Sequence, residues 1–227
     1  SFALHRGEVV GLTGLIGAGK TELIEQLFGA RPLNGGSLTL LGRPYEPSSP
    51  HAAVEAGVAL VPEDRASLAL IPAWSVTRNI TLPFLRAYQW FAGLMRSGSE
   101  NRAAVRFVDE MAIRCSGPAA EIASLSGGNQ QKVVVARWLQ ADSPLLLLDE
   151  PFRGIDIGSR RVIVQHLRSQ SERAVLVASS DPEEILEVAD RILVMAAGRL
   201  VGEMRAEEAT TANLARLMAG IPAEAAA

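Results

Sequence analysis

The stretch "GLIGAGKT", Gly14 to Thr21, constrains the fold of this chain more than any other. It follows "GEVVGLTG", whose residues 8 to 13 read as a short buried strand ending in glycine. It precedes "KTELIEQLFGA", where apolar residues at 23, 24, 27 and 28 make a helical stripe stopped by Gly29 and Pro32. The pattern G-x-x-x-x-G-K-[ST] between a strand and a helix is a phosphate cradle. Gly14, Gly17 and Gly19 permit backbone conformations that turn the N–H groups of the loop, including those of Leu15, Ile16 and Ala18, onto phosphate oxygens, and the following helix adds its positive end. The Lys20 amine reaches β- and γ-phosphates, and the Thr21 hydroxyl can ligate Mg²⁺. A glycine-rich turn of no function could carry the same letters, but average composition makes a chance match on the order of one per cent.

The rest of the chain repeats the alternation. "GGSLTLLGRPY" suggests a hairpin and "GVALVPED" a buried strand ended by Pro62. From Ala66 to Ala123 helical stretches such as "NRAAVRFVDEMAI" dominate, interrupted by the loop composition "RSGSE". After "LSGGN" come a helix over 129–140, the strand "LLLLD", a helix near 158–170, the strand "AVLVA", a short helix and the strand "RILVM". Strands alternating with helices predict an α/β fold with a mainly parallel central sheet covered on both faces. The hairpin would form a small antiparallel β subdomain, and the middle section an inserted helical subdomain.

Composition excludes several classes. A net charge of -3 offers no basic footprint for nucleic acid. The single Cys115 rules out an internal disulfide framework and fits a reducing compartment. No apolar run approaches the roughly 20 residues needed to span a bilayer. "SFALHRGEVV" is no signal peptide, because His5, Arg6 and Glu8 interrupt any apolar core; it reads as a chain cut just before a strand.

A second motif follows at Pro144 to Pro151, "PLLLLDEP". Four leucines make a fully buried strand that delivers Asp149 to the carboxyl edge of the sheet, outside which ligands bind in open α/β folds. Asp149 suits a Mg²⁺ shell, and Glu150 suits a base that polarises attacking water. Alone, an acidic pair after a strand is usually a solvated turn; beside the phosphate loop it reads as chemistry.

A third, "LSGGNQQ", Leu125 to Gln131, decides between nucleotide-binding families. Ser126, Gly127 and Gly128 would cap the helix of "NQQKVVVARWL" and present bare backbone N–H groups to an anion. The stretch resembles the signature of ABC-type ATPases, and the resemblance covers nearly the whole chain, to "RILVMAAGRLVGE". With "VPEDR" at 61 to 65, "SVTRNITL" at 75 to 82 and "DEPFRGIDIG", it is similar to the C-terminal ATPase half of bacterial ribose- and galactose-type sugar importers; nucleoside importers look alike here.

That resemblance implies a P-loop NTPase fold binding ATP and Mg²⁺. One domain would fill residues 1–227, with 1–65 and 136–220 as the core and β subdomain, 66–135 as the helical signature subdomain and 221–227 as a tail. It implies that Ser126, Gly127, Gly128, Asn129 and Gln130 act on the nucleotide of a partner ATPase domain, the N-terminal half of the same polypeptide. It also implies membrane permease subunits, a periplasmic binding protein acting indirectly, and a place on the cytoplasmic face of the bacterial inner membrane. The aromatic that stacks on adenine would lie upstream of Phe2. Trp74, Trp90 and Phe91 are either core or a docking face for the permease.

Two positions depart from the general ABC pattern. The loop after "GVALVP" offers Glu63 where the family usually has a glutamine facing Mg²⁺ and water. The strand "AVLVA" runs into Ser179, Ser180 and Asp181, so Ser180 stands at the switch-histidine position; His5, His51 and His166 all lie elsewhere. Lys20 and Glu150 keep the parts of an ATP hydrolase, while Glu63 and Ser180 predict a slow pocket. The rival readings are an ATP-dependent dimerisation or regulatory half without catalysis, and a soluble ABC ATPase of translation or repair, whose long helical arms or basic patches are missing here.

Overall fold

The computed structural model describes residues 1–89, 97–140 and 143–221. These fall into two compact units, Ser1–Leu60 with Ser143–Pro151 and Leu167–Ala227, and Val61–Asp142 with Phe152–His166. Trp90, Phe91 and the tail at 223–227 lie outside the described residues.

The first unit is built on strands β1 (Val9–Thr13), β4 (Val58–Val61), β5 (Leu145–Asp149), β6 (Ala174–Ser179), β7 (Arg191–Ala196) and β8 (Arg199–Arg205). They form one sheet in the order β4-β5-β6-β1-β7-β8. Pairings β5–β6, β6–β1 and β1–β7 are parallel, and β7–β8 is an antiparallel hairpin edge. Every residue of β1, β5 and β6 is buried. Continuous apolar runs are what strands covered on both faces require. By contrast β8, "RLVGEMR", alternates between exposed and half-buried residues, as an edge with one wet face should.

Helix α1 (Lys20–Leu27) packs on β5, whereas α8 (Pro182–Val188) packs on β1 and β6. The approach of α8 to β1 is close: a Cβ on Gly11 would lie 2.4 Å from Ile185 Cγ2. Asp181 caps α8 by accepting from Glu183 N–H, with Pro182 at the first position where its missing N–H costs nothing. Helix α9 (Thr211–Met218) closes β7 and β8 and carries a reciprocal capping box between Thr210 and Asn213. The expected hairpin is present as β2 (Thr39–Leu40) paired antiparallel with β3 (Arg43–Pro44). Ser49 caps the short α2 (Pro50–Glu55).

The second unit is helical: α3 (Arg65–Leu68), α4 (Val76–Thr81), α5 (Ser97–Glu110), α6 (Gly127–Leu139) and most of α7 (Ile157–Arg168). Its centre is α4 against α5 and α6, with Val76, Ile80, Met111, Ile122 and Val133 buried. The end of α4 is satisfied by side chains from α6: Arg137 Nε donates to Asn79 O at 2.7 Å and Gln140 Nε2 to Ile80 O at 2.5 Å. Those carbonyls have no partner within α4 itself, so the helix end needs them. Burial pushes the Arg137 guanidinium down to about 10. Phe84 meets Trp138 edge to face at 5.9 Å, and Arg78 lies over the half-buried Trp74 ring.

Candidate functional site

In-register pairing decides which residues meet at the carboxyl edge of the sheet. Thr13 pairs with Ser179, and Asp149 pairs with Ala178. The chain therefore leaves β1 and β6 at one level and β5 one residue earlier, which brings Gly14, Glu150 and Ser180 together at the same edge.

Gly14 is buried so tightly that a Cβ there would lie 2.4 Å from Met195 O. Leu15, Ile16 and Gly17 are exposed, and Ala18 is buried. Gly17 (φ 79°) and Gly19 (φ 101°) take the left-handed conformation that lets the loop reverse, Gly19 serving as the N-cap of α1. Lys20 is the first residue of α1, yet its side chain folds back over the loop. Its Nζ donates to Gly14 O at 2.9 Å, Leu15 O at 3.3 Å and Ser180 Oγ at 3.1 Å, and lies 3.8 Å from Glu150 Oε1. Thr21 is half-buried in the first turn, and Asp149 is 2 % exposed at the end of β5.

Glu150 follows with φ 44°, an uncommon conformation for a residue with a Cβ. Three contacts hold it. Its N–H donates to Ala178 O at 2.9 Å, and its Oε1 accepts from both Ser180 N–H, at 2.8 Å, and Ser180 Oγ, at 2.5 Å. Thus Ser180, at the expected switch position, clamps the carboxylate with two donors while its oxygen accepts from Lys20. Sequence reasoning missed Ser179. That hydroxyl, fully buried, donates to Glu184 Oε2 at 2.5 Å and lies 3.3 Å from Glu150 Oε2. Only the strand register places it there, and the string "SSD" gives no sign of which serine turns inward.

In the helical unit Ser126 stands at the N-cap of α6, but its hydroxyl accepts from the Asn129 side chain at 2.9 Å and caps no backbone N–H. Asn129 Oδ1 in turn accepts from Arg114 N–H, and Gln130 Nε2 donates to Ile122 O and Leu125 O. Space explains both glycines. A Cβ on Gly127 would lie 2.7 Å from Arg65 Nη2, and one on Gly128 would lie 2.4 Å from Ser159 Oγ and 2.7 Å from Asp156 Oδ2. Asp156 accepts from Ser159 N–H and Oγ, which holds its carboxyl below the usual range. Glu63 pairs with the Arg153 guanidinium, a partner the sequence reading did not anticipate.

Among the described residues no cluster of three or more His, Cys, Asp or Glu side chains could hold a metal ion. The donors at the sheet edge, the Thr21 hydroxyl and the Asp149 carboxylate, are hard oxygens. That chemistry suits Mg²⁺, which takes few protein ligands and completes its shell with phosphate and water.

A glycine loop between β1 and α1, with a lysine at the helix start and an aspartate ending β5, one strand removed across β6, defines a P-loop nucleoside-triphosphatase fold. The chain belongs to the ABC transporter family, whose sequence profile matches residues 1–153. It is 43% identical over 211 residues to the ribose import ATP-binding protein RbsA 2 of Streptomyces coelicolor, covering 92% of this chain and 41% of that one. With the protein of the same name in Rubrobacter xylanophilus it shares 44% identity over 229 residues, 100% of this chain and 44% of the relative. With the xylose import ATP-binding protein XylG of Burkholderia ambifaria it shares 43% over 206 residues, 89% of this chain and 40% of the relative. The chain thus spans less than half the length of these relatives. A solved dimer of an ATP-binding cassette in a post-hydrolysis state with ADP and Pi superposes with a TM-score of 0.77 at 21% identity, covering 90% of this chain and 88% of that one.

Proposed function

We propose that this chain is a single ATPase domain of an ABC importer, binding Mg-ATP and hydrolysing it slowly in its own pocket to power uptake of a sugar. The observation that carries this reading is the Lys20 ammonium held over the loop by Gly14 O, Leu15 O and Ser180 Oγ, beside the carboxylate of Glu150. The names of the relatives supply the solute class, since they include ribose and xylose import proteins.

In this reading the backbone N–H groups of Gly14 to Thr21 hold the phosphates, and Lys20 exchanges its carbonyl acceptors for β- and γ-phosphate oxygens. Thr21 and Asp149 hold Mg²⁺, with Glu63 at the glutamine position; the ion neutralises phosphate charge when bound. Glu150 is the base that orients the attacking water. Its Oε1 already accepts two hydrogen bonds from Ser180, which occupy lone pairs that the attacking water would otherwise use. No imidazole supplements it. Both features support a slow pocket.

Ser126, Gly127, Gly128, Asn129 and Gln130 serve the nucleotide of a second ATPase domain, the N-terminal half of a longer polypeptide. Permease subunits and, indirectly, a periplasmic binding protein complete the assembly at the cytoplasmic face of the inner membrane.

The test is a titration with a fluorescent ATP analogue. Removing the Lys20 amine deletes a charge-assisted contact worth about 1.5 to 3 kcal/mol, so Lys20→Ala should weaken affinity at least roughly tenfold. Equal affinities for the two proteins would overturn the assignment.

A further inference from the structure

We propose that Glu184 is a positioning residue: it draws the Ser179 hydroxyl proton away from Glu150, so that Oε2 of Glu150 stays an acceptor for the attacking water. The inference rests on the reading of Glu150 given above as the group that orients this water. Every residue it uses belongs to the first unit.

The two oxygens of Glu150 have different surroundings. Oε1 accepts from Ser180 N–H at 2.8 Å and from Ser180 Oγ at 2.5 Å, and the Lys20 ammonium lies 3.8 Å away. Among the described residues the donor that reaches Oε2 is the Ser179 hydroxyl, at 3.3 Å. A serine has one proton to give, and a second carboxylate competes for it. Glu184 Oε2 lies 2.5 Å from the same hydroxyl. The shorter contact is that of a charge-assisted bond, whereas the longer one is stretched for any O–H···O pair. The proton therefore points to Glu184.

The start of α8 fixes that direction. Asp181 is the N-cap, Pro182 and Glu183 follow, and Glu184 is the third helical residue. In a capping box the carboxylate at this third position reaches back to the N-cap N–H. Here Ser179 stands between the two: its Oγ accepts from Asp181 N–H at 3.1 Å and donates to Glu184. Both bonds orient the hydroxyl along the helix start and away from Glu150. Ser179 is fully buried and Glu184 half-buried, so protein acceptors decide where this proton goes. Without Glu184 the acceptor left at hand is Glu150 Oε2. Both oxygens of the base would then be occupied by donors, and the water would lose its acceptor.

Single-turnover hydrolysis, with the chain in excess over Mg-ATP, reads this step apart from product release. Glu184→Leu fills the space and offers no acceptor. It should slow hydrolysis at least about tenfold, part of the roughly 10²- to 10⁴-fold a positioned base contributes, with half-saturation by ATP unchanged within about twofold. Glu184→Gln keeps an acceptor oxygen and should stay within about threefold of the unaltered chain. Adding Ser179→Ala to Glu184→Leu removes the misdirected donor and should return most of the lost rate. The double variant carries the same change in α8, so its recovery separates a misplaced proton from a damaged helix. A crystal structure of Glu184→Leu should show Ser179 Oγ closed onto Glu150 Oε2 at about 2.7 Å. If the leucine variant does not fold, Glu184→Ala takes its place in both measurements. An unaffected rate, a further loss in the double variant, or a contact still at 3.3 Å or longer overturns the proposal and leaves the hydrolytic reading intact. An unaltered chain that binds ATP without cleaving it overturns both.

Discussion

At the scale of single residues, Ser180 has the densest chemistry. It donates twice to Glu150 Oε1 and accepts from Lys20, so one short side chain ties the loop after β1 to the loop after β5. Ser180→Ala leaves the main-chain donor and removes the hydroxyl. The loss of a hydrogen bond to a charged acceptor should lower the free energy of unfolding by about 1.5 kcal/mol, read by urea denaturation without nucleotide. An unchanged midpoint would mean that water replaces the hydroxyl at no cost. Lys20, Thr21, Asp149, Glu150 and Ser180 were all legible, because each belongs to a short string whose chemistry is local. The clamp itself was not, since it depends on Asp149 standing opposite Ala178 in neighbouring strands. Glu63 shows the same division. Its position was readable and its consequence was not, because Arg153, some ninety residues on, becomes its partner only in three dimensions.

At the scale of elements, the buried strands announced themselves. "VVGLT", "LLLLD" and "AVLVA" are unbroken apolar runs, and all three are buried throughout. Weaker patterns were lost: β8 mixes arginine and glutamate into a wet edge, and α9 follows a run of acidic residues with nothing to mark it but Thr210. What fastens this edge is electrostatic. Arg191 at the start of β7 donates to both Glu8 carboxylate oxygens, at 2.7 and 2.8 Å, to Glu203 on β8 at 2.6 Å, and to Ala3 O. Its bond to Glu8 holds that carboxyl below its ordinary value of 4.5. A carboxylate whose folded value is depressed contributes stability above its unfolded value and loses it as pH falls through the folded one. The unfolding temperature should therefore drop as pH falls through the carboxylate range, about pH 5 to 3, and Glu8→Gln should make that drop shallower while lowering the plateau at neutral pH. Parallel curves for the two proteins would show that the contact contributes nothing.

For the molecule as a whole, the proposed division of labour predicts an asymmetry. Ser126 and its glycines would act on the partner domain's nucleotide, whereas Glu150 would act on the nucleotide held by Lys20. In the full-length transporter, Ser126→Arg should lower ATP hydrolysis by about 10²- to 10³-fold, the scale set by oriented N–H donors at developing charge. Glu150→Gln should cost less, since its carboxylate is already engaged by Ser180. Hydrolysis by the reconstituted transporter at saturating nucleotide measures both, and equal losses would make this pocket a full catalytic site. The folded-back lysine has a consequence of another kind. With Nζ already bonded to two carbonyls and a hydroxyl, the cradle has no bare cation to offer. An arriving anion must surpass acceptors that are already in place at hydrogen-bond distance. A chloride or a lone carboxylate brings one charge to that exchange and gains little, while a polyphosphate brings several and also occupies the loop's N–H groups. On the proposed reading this exchange would favour dense charge, so the loop would discriminate by charge density before the base or the sugar is read.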